Sequence, residues 1–162
     1  MAAEFRYCPR CATPLEEQPH GGKARPTCPK DGFVHWGNPL PVVGAIVEHR
    51  GNVILARGRG WPEKMFGIIT GFLEAGEAPE AAVLREVKEE LALDAEVVSL
   101  IGVYAFELRN EFIACWHVRA RDDQEVQLGD ELEAFKAIAP EKLRAWEFGT
   151  GLAVRDWLAR RA

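Results

Sequence analysis

The apolar positions change period along the chain, and the changes outline its elements. Residues 42–47 form a continuous apolar run, His49-Arg50-Gly51-Asn52 supplies a turn, and Val53-Ile54-Leu55 returns, the pattern of a hairpin of buried strands. Residues 57–66, rich in glycine and charge, read as a loop leading into Ile68-Ile69-Thr70. The spacing then becomes helical: Val83, Leu84, Val87 and Leu91 make one stripe, Pro79 suits the first turn, and Glu80 complements the positive end of the dipole. A longer helix would bring Leu93 round among acidic residues, so the helix is expected to stop just before it. Residues 97–108 and 111–119 read as long strands joined by a turn at Arg109-Asn110, with Cys115 a small buried thiol and His117 structural. Residues 121–130 are polar and turn-like, 134–139 a last strand, Pro140 the start of a short helix, and 152–158 a final amphipathic helix.

Strands surrounding two or three helices predict an α/β sandwich. The stretch Trp36-Gly37-Asn38-Pro39-Leu40-Pro41 marks a boundary, dividing the chain into a segment 1–37 and a domain 38–162. At 162 residues and 48% hydrophobic, there is material for one substantial core with a small appendage.

The predicted helix carries the chemistry. Glu86, Glu89 and Glu90 stand at i, i+3 and i+4, where like charges repel by about a few tenths of a kcal/mol per pair unless a cation sits between them. Crowded oxygen ligands suit a hard divalent ion, Mg²⁺ or Mn²⁺. An ordinary solvated acidic face is the alternative for such a charge run. Register decides between them: Gly71, five residues, Glu77, seven residues, then Arg85-Glu86-Val87-Lys88-Glu89-Glu90. This segment resembles the Nudix box, departing from it at Ala92, where the box usually has glycine. Alanine would be strained in a left-handed helix end, so a differently built end is expected.

The resemblance implies a Nudix-type α/β/α sandwich with a mixed sheet and the box as a loop-helix-loop at the sheet edge. It implies Glu86, Glu89 and Glu90 as ligands of Mg²⁺ or Mn²⁺, with the backbone around Gly71 adding a ligand. Glu89 serves the metal or water activation, and Glu86, Glu89 and Arg85 form the expected catalytic group, with Arg85 orienting Glu89 or Glu77 and Glu77 anchoring the loop at the helix start. Such enzymes often recruit a further carboxylate downstream, and in Asp130-Glu131-Leu132-Glu133 the preferred residue is Glu131, then Glu133.

Three cysteines fall in the first 28 residues, as Cys8-Pro-Arg-Cys11 and Cys28-Pro-Lys-Asp31. Two C-P-x-x turns look like the knuckles of a zinc ribbon, with Asp31 in place of a fourth cysteine and His20 or His35 as alternatives. Structural Zn²⁺ is expected there, since the three cysteines of this segment cannot all pair with one another and a cytoplasmic setting argues against disulfides.

The net charge of −5 is uneven. Five Lys/Arg and four Asp/Glu in residues 1–39 give +1, leaving −6 for the rest. An acidic domain disfavours long polyanions, so nucleic acid is not expected as a partner, and a small nucleotide-type substrate arriving with its cations is. The longest apolar runs fall far short of the roughly 20 residues a bilayer needs. A soluble cytoplasmic protein is the expectation, with homodimerisation left open.

Substrate choice is only faintly written. A ribbon beside a Nudix box is similar to the NADH pyrophosphatase branch, but Asp94-Ala95-Glu96-Val97-Val98-Ser99-Leu100 lacks that branch's Ser-Gln-Pro-Trp element. Nor does Leu108 or Arg109 supply the proline that a likeness to ADP-ribose pyrophosphatases would imply. Trp61, Phe72 and Tyr104 are candidate stacking partners for a base. The leading expectation is a Mg²⁺-dependent hydrolase of a diphosphate linkage in a nucleoside diphosphate derivative. A nucleotide-sensing module with a ribbon interaction surface is the rival, disfavoured because sensors tend to lose the metal carboxylates that this chain keeps.

Overall fold

The computed structural model describes residues 5–161. They form two compact units, one running up to Pro39 and including Leu108–Asn110, the other built from Leu40–Glu107 and from Glu111 onward.

The first unit is centred on a hairpin of β1 (Glu16–His20) and β2 (Lys23–Thr27), turned at Gly21 and Gly22, both with positive φ. Two tight turns flank it and repeat one pattern. Cys8 N–H donates to Thr13 O at 2.8 Å and Ala12 N–H to Cys8 O at 2.9 Å; Cys28 N–H donates to Phe33 O at 2.7 Å and Gly32 N–H to Cys28 O at 3.0 Å. Ala12 and Gly32 both take left-handed conformations, so Cys11 and Asp31 occupy equivalent places.

The second unit is a mixed sheet between two helices. Its strands are β3 (Leu40–His49), β4 (Asn52–Gly58), β5 (Ile69–Phe72), β6 (Ala95–Phe106), β7 (Glu111–Ala120) and β8 (Leu132–Ile138), in the order β6-β7-β3-β4-β8 with β5 also on β3. The parallel β3–β7 pair makes the sheet mixed. On its other side β3 is shared: residues 42–45 pair with β5, and 47–49 with β4. The sheet therefore splays between β4 and β5, with a bridge at Ala56 and Gly67.

Helix α1 (Pro79–Leu91) starts with Pro79 and buries Val83, Val87 and Leu91 of the predicted stripe together with Ala82, while Leu84 is only partly buried. These pack on Val43, Ala45, Val47, Ile54 and Val118. The box helix thus covers a face of the sheet, where its apolar stripe finds a partner, instead of lying at the edge. The opposite face carries Ile46, Val53, Ile113 and Cys115 under Val154 and Trp157 of α2 (Gly151–Arg161). Cys115 is buried as expected, and a Cβ on Gly44 would meet its sulfur at 2.8 Å, which requires glycine there.

Differences from the sequence reading are local. The turn after β6 is a 3-10 turn at Glu107–Arg109, and Pro140–Lys142 is a single 3-10 turn. Residues 121–130 are not simply a solvated loop, since Val126 and Leu128 pack against the core beside α1. Among the described residues no helix is long and apolar enough to cross a membrane.

Candidate active site

Strand β5 delivers Gly71 directly beneath α1, and the fit is close. A Cβ built on Gly71 would overlap the Glu86 carboxylate. Glycine therefore admits Glu86 to the sheet surface, leaving its side chain 13% exposed against 59% for Glu89.

Arg85 holds the group together. Its Nε donates to Glu77 Oε1 at 2.8 Å and Nη2 to Glu77 Oε2 at 3.0 Å, a bidentate pair. Nη1 donates to Glu86 Oε1 at 2.7 Å and to Glu89 Oε2 at 3.0 Å, and Nη2 also reaches Phe72 O at 3.1 Å. A guanidinium has five N–H donors, and these five contacts use them all. No donor of Arg85 is left over for a phosphate. Glu77, itself accepting from Glu74 N–H at 3.3 Å, anchors the loop and is held below the usual carboxylate range by Arg85.

Glu90 has no such cation. Burial, followed by the charges of Glu86, Glu131 and Glu89, pushes its carboxyl up to about 8. Burial also raises Glu86, against the opposing pull of Arg85. Mutually repelling, partly buried carboxylates with only oxygen donors fit a hard divalent ion, which supplies the missing positive charge. Glu131, from the turn entering β8, joins Glu90 in the wall of a cavity of about 260 Å³ that also includes Ala56, Arg59, Trp61, Ile68 and Thr70. Glu133, the alternative, instead lies 3.6 Å from Arg57.

The NUDIX domain matches residues 38–157. The chain belongs to the Nudix family. Among curated relatives it is 30% identical over 117 residues to the NAD-capped RNA hydrolase NudC of Mycobacterium tuberculosis (strain ATCC 25618 / H37Rv), covering 72% of this chain and 36% of that protein. NudC of Pseudomonas aeruginosa (strain LESB58) is 27% identical over 132 residues, covering 82% and 47%. The chain thus spans between about a third and a half of the length of these relatives. Of solved structures, a Nudix hydrolase from Nitrosomonas europaea superposes with TM-score 0.75 at 22% identity, covering 86% of this chain and 80% of that one. An ADP-ribose pyrophosphatase from Streptococcus suis gives 0.62 at 18% identity, covering 77% and 94%. At these identities the likeness is one of fold.

Within the Nudix box, Ala92 takes the left-handed position after all, at φ 57° and ψ 22°, and its N–H caps Lys88 O at 3.0 Å. The expectation of a differently built helix end was wrong in conformation, and the reason is tertiary. The last two helical carbonyls are capped by the downstream loop, Glu90 O by Gly129 N–H at 2.9 Å and Leu91 O by Gln127 N–H at 3.0 Å.

The aromatic candidates separate. Trp61 lines the cavity, its indole lying over Gly58 and Gly67. Phe72 is exposed at the end of β5, next to the carbonyl that Arg85 engages. Tyr104 is on the other face of the sheet, packed with the α2 cluster and donating to Asp156 Oδ2 at 2.9 Å, so the fold does not bring it to the carboxylates. Arg59 is the cavity residue that sequence reading missed; a lone arginine in a glycine-rich loop gives no periodic signal.

In the N-terminal unit the Sγ atoms of Cys8, Cys11 and Cys28 and a carboxylate oxygen of Asp31 all lie within 4.8 Å of one another. Cys8 Sγ is 3.3 Å from Asp31 Oδ2, and Cys11 Sγ 3.6 Å from Cys28 Sγ. Phe33 N–H donates to Asp31 Oδ1 at 2.9 Å, and with the neighbouring thiols this holds the carboxyl down to about 2. His35 instead stacks on Phe5 at 4.1 Å, and His20 sits edge-on to Trp36 at 6.0 Å.

Proposed function

We propose that this chain is a divalent-metal-dependent hydrolase that cleaves the diphosphate linkage of a nucleoside diphosphate joined to another group. One observation carries this reading: Glu86, Glu89, Glu90 and Glu131 converge beside a cavity walled by Trp61 and Arg59. Glu86, Glu90 and Glu131 would hold Mg²⁺ or Mn²⁺, with the backbone around Gly71 adding a ligand. The bound ion would neutralise phosphoryl oxygens and acidify a water. Glu89, far more exposed than Glu86 and anchored by Arg85 through only one oxygen, would accept the proton of the attacking water. Arg59 meets the more distant phosphate, and the indole of Trp61 offers a face to a base, a contact of about 1–3 kcal/mol. The retention of every box carboxylate supports an enzyme over a sensing module.

The relatives named NAD-capped RNA hydrolase bring dinucleotides into the substrate set, whereas the acidic domain favours small substrates over long polyanions. A Mg²⁺-supplemented panel of ADP-ribose, NADH, dinucleoside polyphosphates and nucleoside diphosphate sugars, with products identified, tests the proposal. Release of a nucleoside monophosphate supports it; nucleotide binding without turnover across the panel favours the sensor.

We further infer that Cys8, Cys11, Cys28 and Asp31 hold a structural Zn²⁺. The equivalence of Cys11 and Asp31 in the two repeated turns supports Asp31 as fourth ligand. A closed set of four protein ligands leaves no position for substrate, so its role is to hold the small unit folded. A cytoplasmic setting keeps these free cysteines reduced and available to the metal.

A further inference from the structure

We propose that Gly129 is a positioning residue of the active site: it lets the 121–131 loop dock on the end of α1, and that docking sets where Glu131 stands. The inference rests on the reading of Glu131 as part of the metal site.

The contact leaves no room for a side chain. A Cβ on Gly129 would lie 2.5 Å from Glu89 O and 3.4 Å from Glu90 Cα, both atoms of the helix backbone. A flexible side chain could swing aside; a helical carbonyl cannot without breaking the turn that carries Glu89 and Glu90. Gly129 does not take a positive φ, so closeness and not backbone conformation demands glycine here. Its N–H caps Glu90 O at 2.9 Å, while its carbonyl accepts from Leu132 N–H at 3.2 Å, closing a four-residue turn around Glu131. Glu131 O in turn accepts from Arg59 N–H at 2.9 Å. The backbone of Glu131 is thus fixed by one contact to the catalytic helix and one to the cavity loop.

The rest of the loop cannot absorb a shift at 129. Gln124 Oε1 accepts from Asp94 N–H at 2.7 Å and its Nε2 donates to Asp94 Oδ2 at 2.6 Å. Gln124 O accepts from Arg50 Nη2 at 3.1 Å, and Gln127 N–H caps Leu91 O at 3.0 Å. With the loop fastened along its length, a methyl group at 129 must move the turn that follows, and Glu131 with it. Helix capping and carboxylate placement are therefore one contact.

A double-mutant cycle on the full chain tests this, with Gly129→Ala, Glu131→Gln and the double variant. Mn²⁺ affinity is measured by electron paramagnetic resonance without substrate, beside kcat and KM on the best substrate of the panel and the thermal midpoint in chelator. Gly129→Ala should weaken Mn²⁺ roughly as much as Glu131→Gln does, about tenfold, and the double variant should be no weaker than Glu131→Gln alone. Losses that multiply in the double variant, or parent-like Mn²⁺ affinity in Gly129→Ala, overturn the proposal while leaving Glu131 in its role. Parent-like Mn²⁺ affinity and turnover in Glu131→Gln instead overturn the reading of Glu131 beneath it. Should Gly129→Ala fail to fold, Gln124→Ala releases the exposed end of the loop: weakened Mn²⁺ binding that disappears in the Glu131→Gln background supports the proposal, and unchanged binding refutes it.

Discussion

The carboxylate of Glu86 occupies the space in which a side chain on Gly71 would begin. Because the carboxylate is the far end of a flexible side chain, held by one hydrogen bond from Arg85, Gly71→Ala should expel it at little cost to the fold. Turnover should then fall by about two orders of magnitude, as for Glu86→Gln or Glu90→Gln, in line with loss of electrostatic stabilisation at a phosphoryl centre. The thermal midpoint should move only slightly. Steady-state kinetics beside a melting curve checks this, and full activity in Gly71→Ala would remove Glu86 from the site.

Arg85→Lys keeps the charge and discards the fork. One ammonium has three donors where five contacts exist, and it cannot pair with Glu77 bidentately. We expect turnover to drop at least tenfold with KM little changed, and stability to fall by about 1–3 kcal/mol from the partners left without donors. Chemical denaturation and kinetics on the same preparation decide it; a KM rise with unchanged kcat would instead place Arg85 on the substrate.

Ala92 sits at φ 57°, where glycine carries no penalty. Ala92→Gly should raise stability by about 0.5–1 kcal/mol, a melting-temperature gain of roughly 1–4 °C for a domain of this size. Activity should be unchanged, because the helix end is held by Gln127 and Gly129 in either case. A lower melting temperature would mean that the left-handed conformation is not retained in solution.

His117 lies against Trp157 at 5.4 Å with Nε2 2.8 Å from Glu48 Oε2. Burial holds its imidazole below the ordinary value of 6.5, outweighing Glu48, with Arg119 and Arg161 adding to the depression. The folded protein then binds this proton less readily than the unfolded chain. Its contribution to stability is complete above 6.5 and is lost as pH falls from there through the depressed folded value. The melting temperature of the parent should therefore decline more steeply than that of His117→Gln across this window. Parallel profiles in scanning fluorimetry would dismiss the effect.

For the N-terminal unit, metal analysis of purified protein should find one zinc per chain, lost in Cys28→Ser and weakened in Asp31→Ala. Zinc retained in Asp31→Ala but lost in a His20 or His35 variant would reassign the fourth ligand.

The sequence alone determined the features whose cause is local. Pro79, the Val83-Val87-Leu91 stripe and the spacing from Gly71 to Glu90 place the box helix and its carboxylates, because helical period converts sequence distance into a shared surface. The apolar runs at 42–47, 53–55, 97–108, 111–119 and 134–139 likewise mark strands of the main sheet. Tertiary structure decided the rest. That Arg85 spends all five donors on Glu77, Glu86, Glu89 and Phe72 O depends on where β5 passes under α1. That Glu131 and not Glu133 lines the cavity beside Glu90 depends on a turn fixed by Gly129 and Arg59, and the tolerance of Ala92 on carbonyl caps supplied from 35 and 37 residues away in the chain. Tyr104 was lost from the candidate site for a similar reason: bulges in β6 and the packing of α2 set the face on which it lies. Contacts between residues distant in sequence leave no periodic trace, because their energy is settled by fit between surfaces that exist only once the chain has folded.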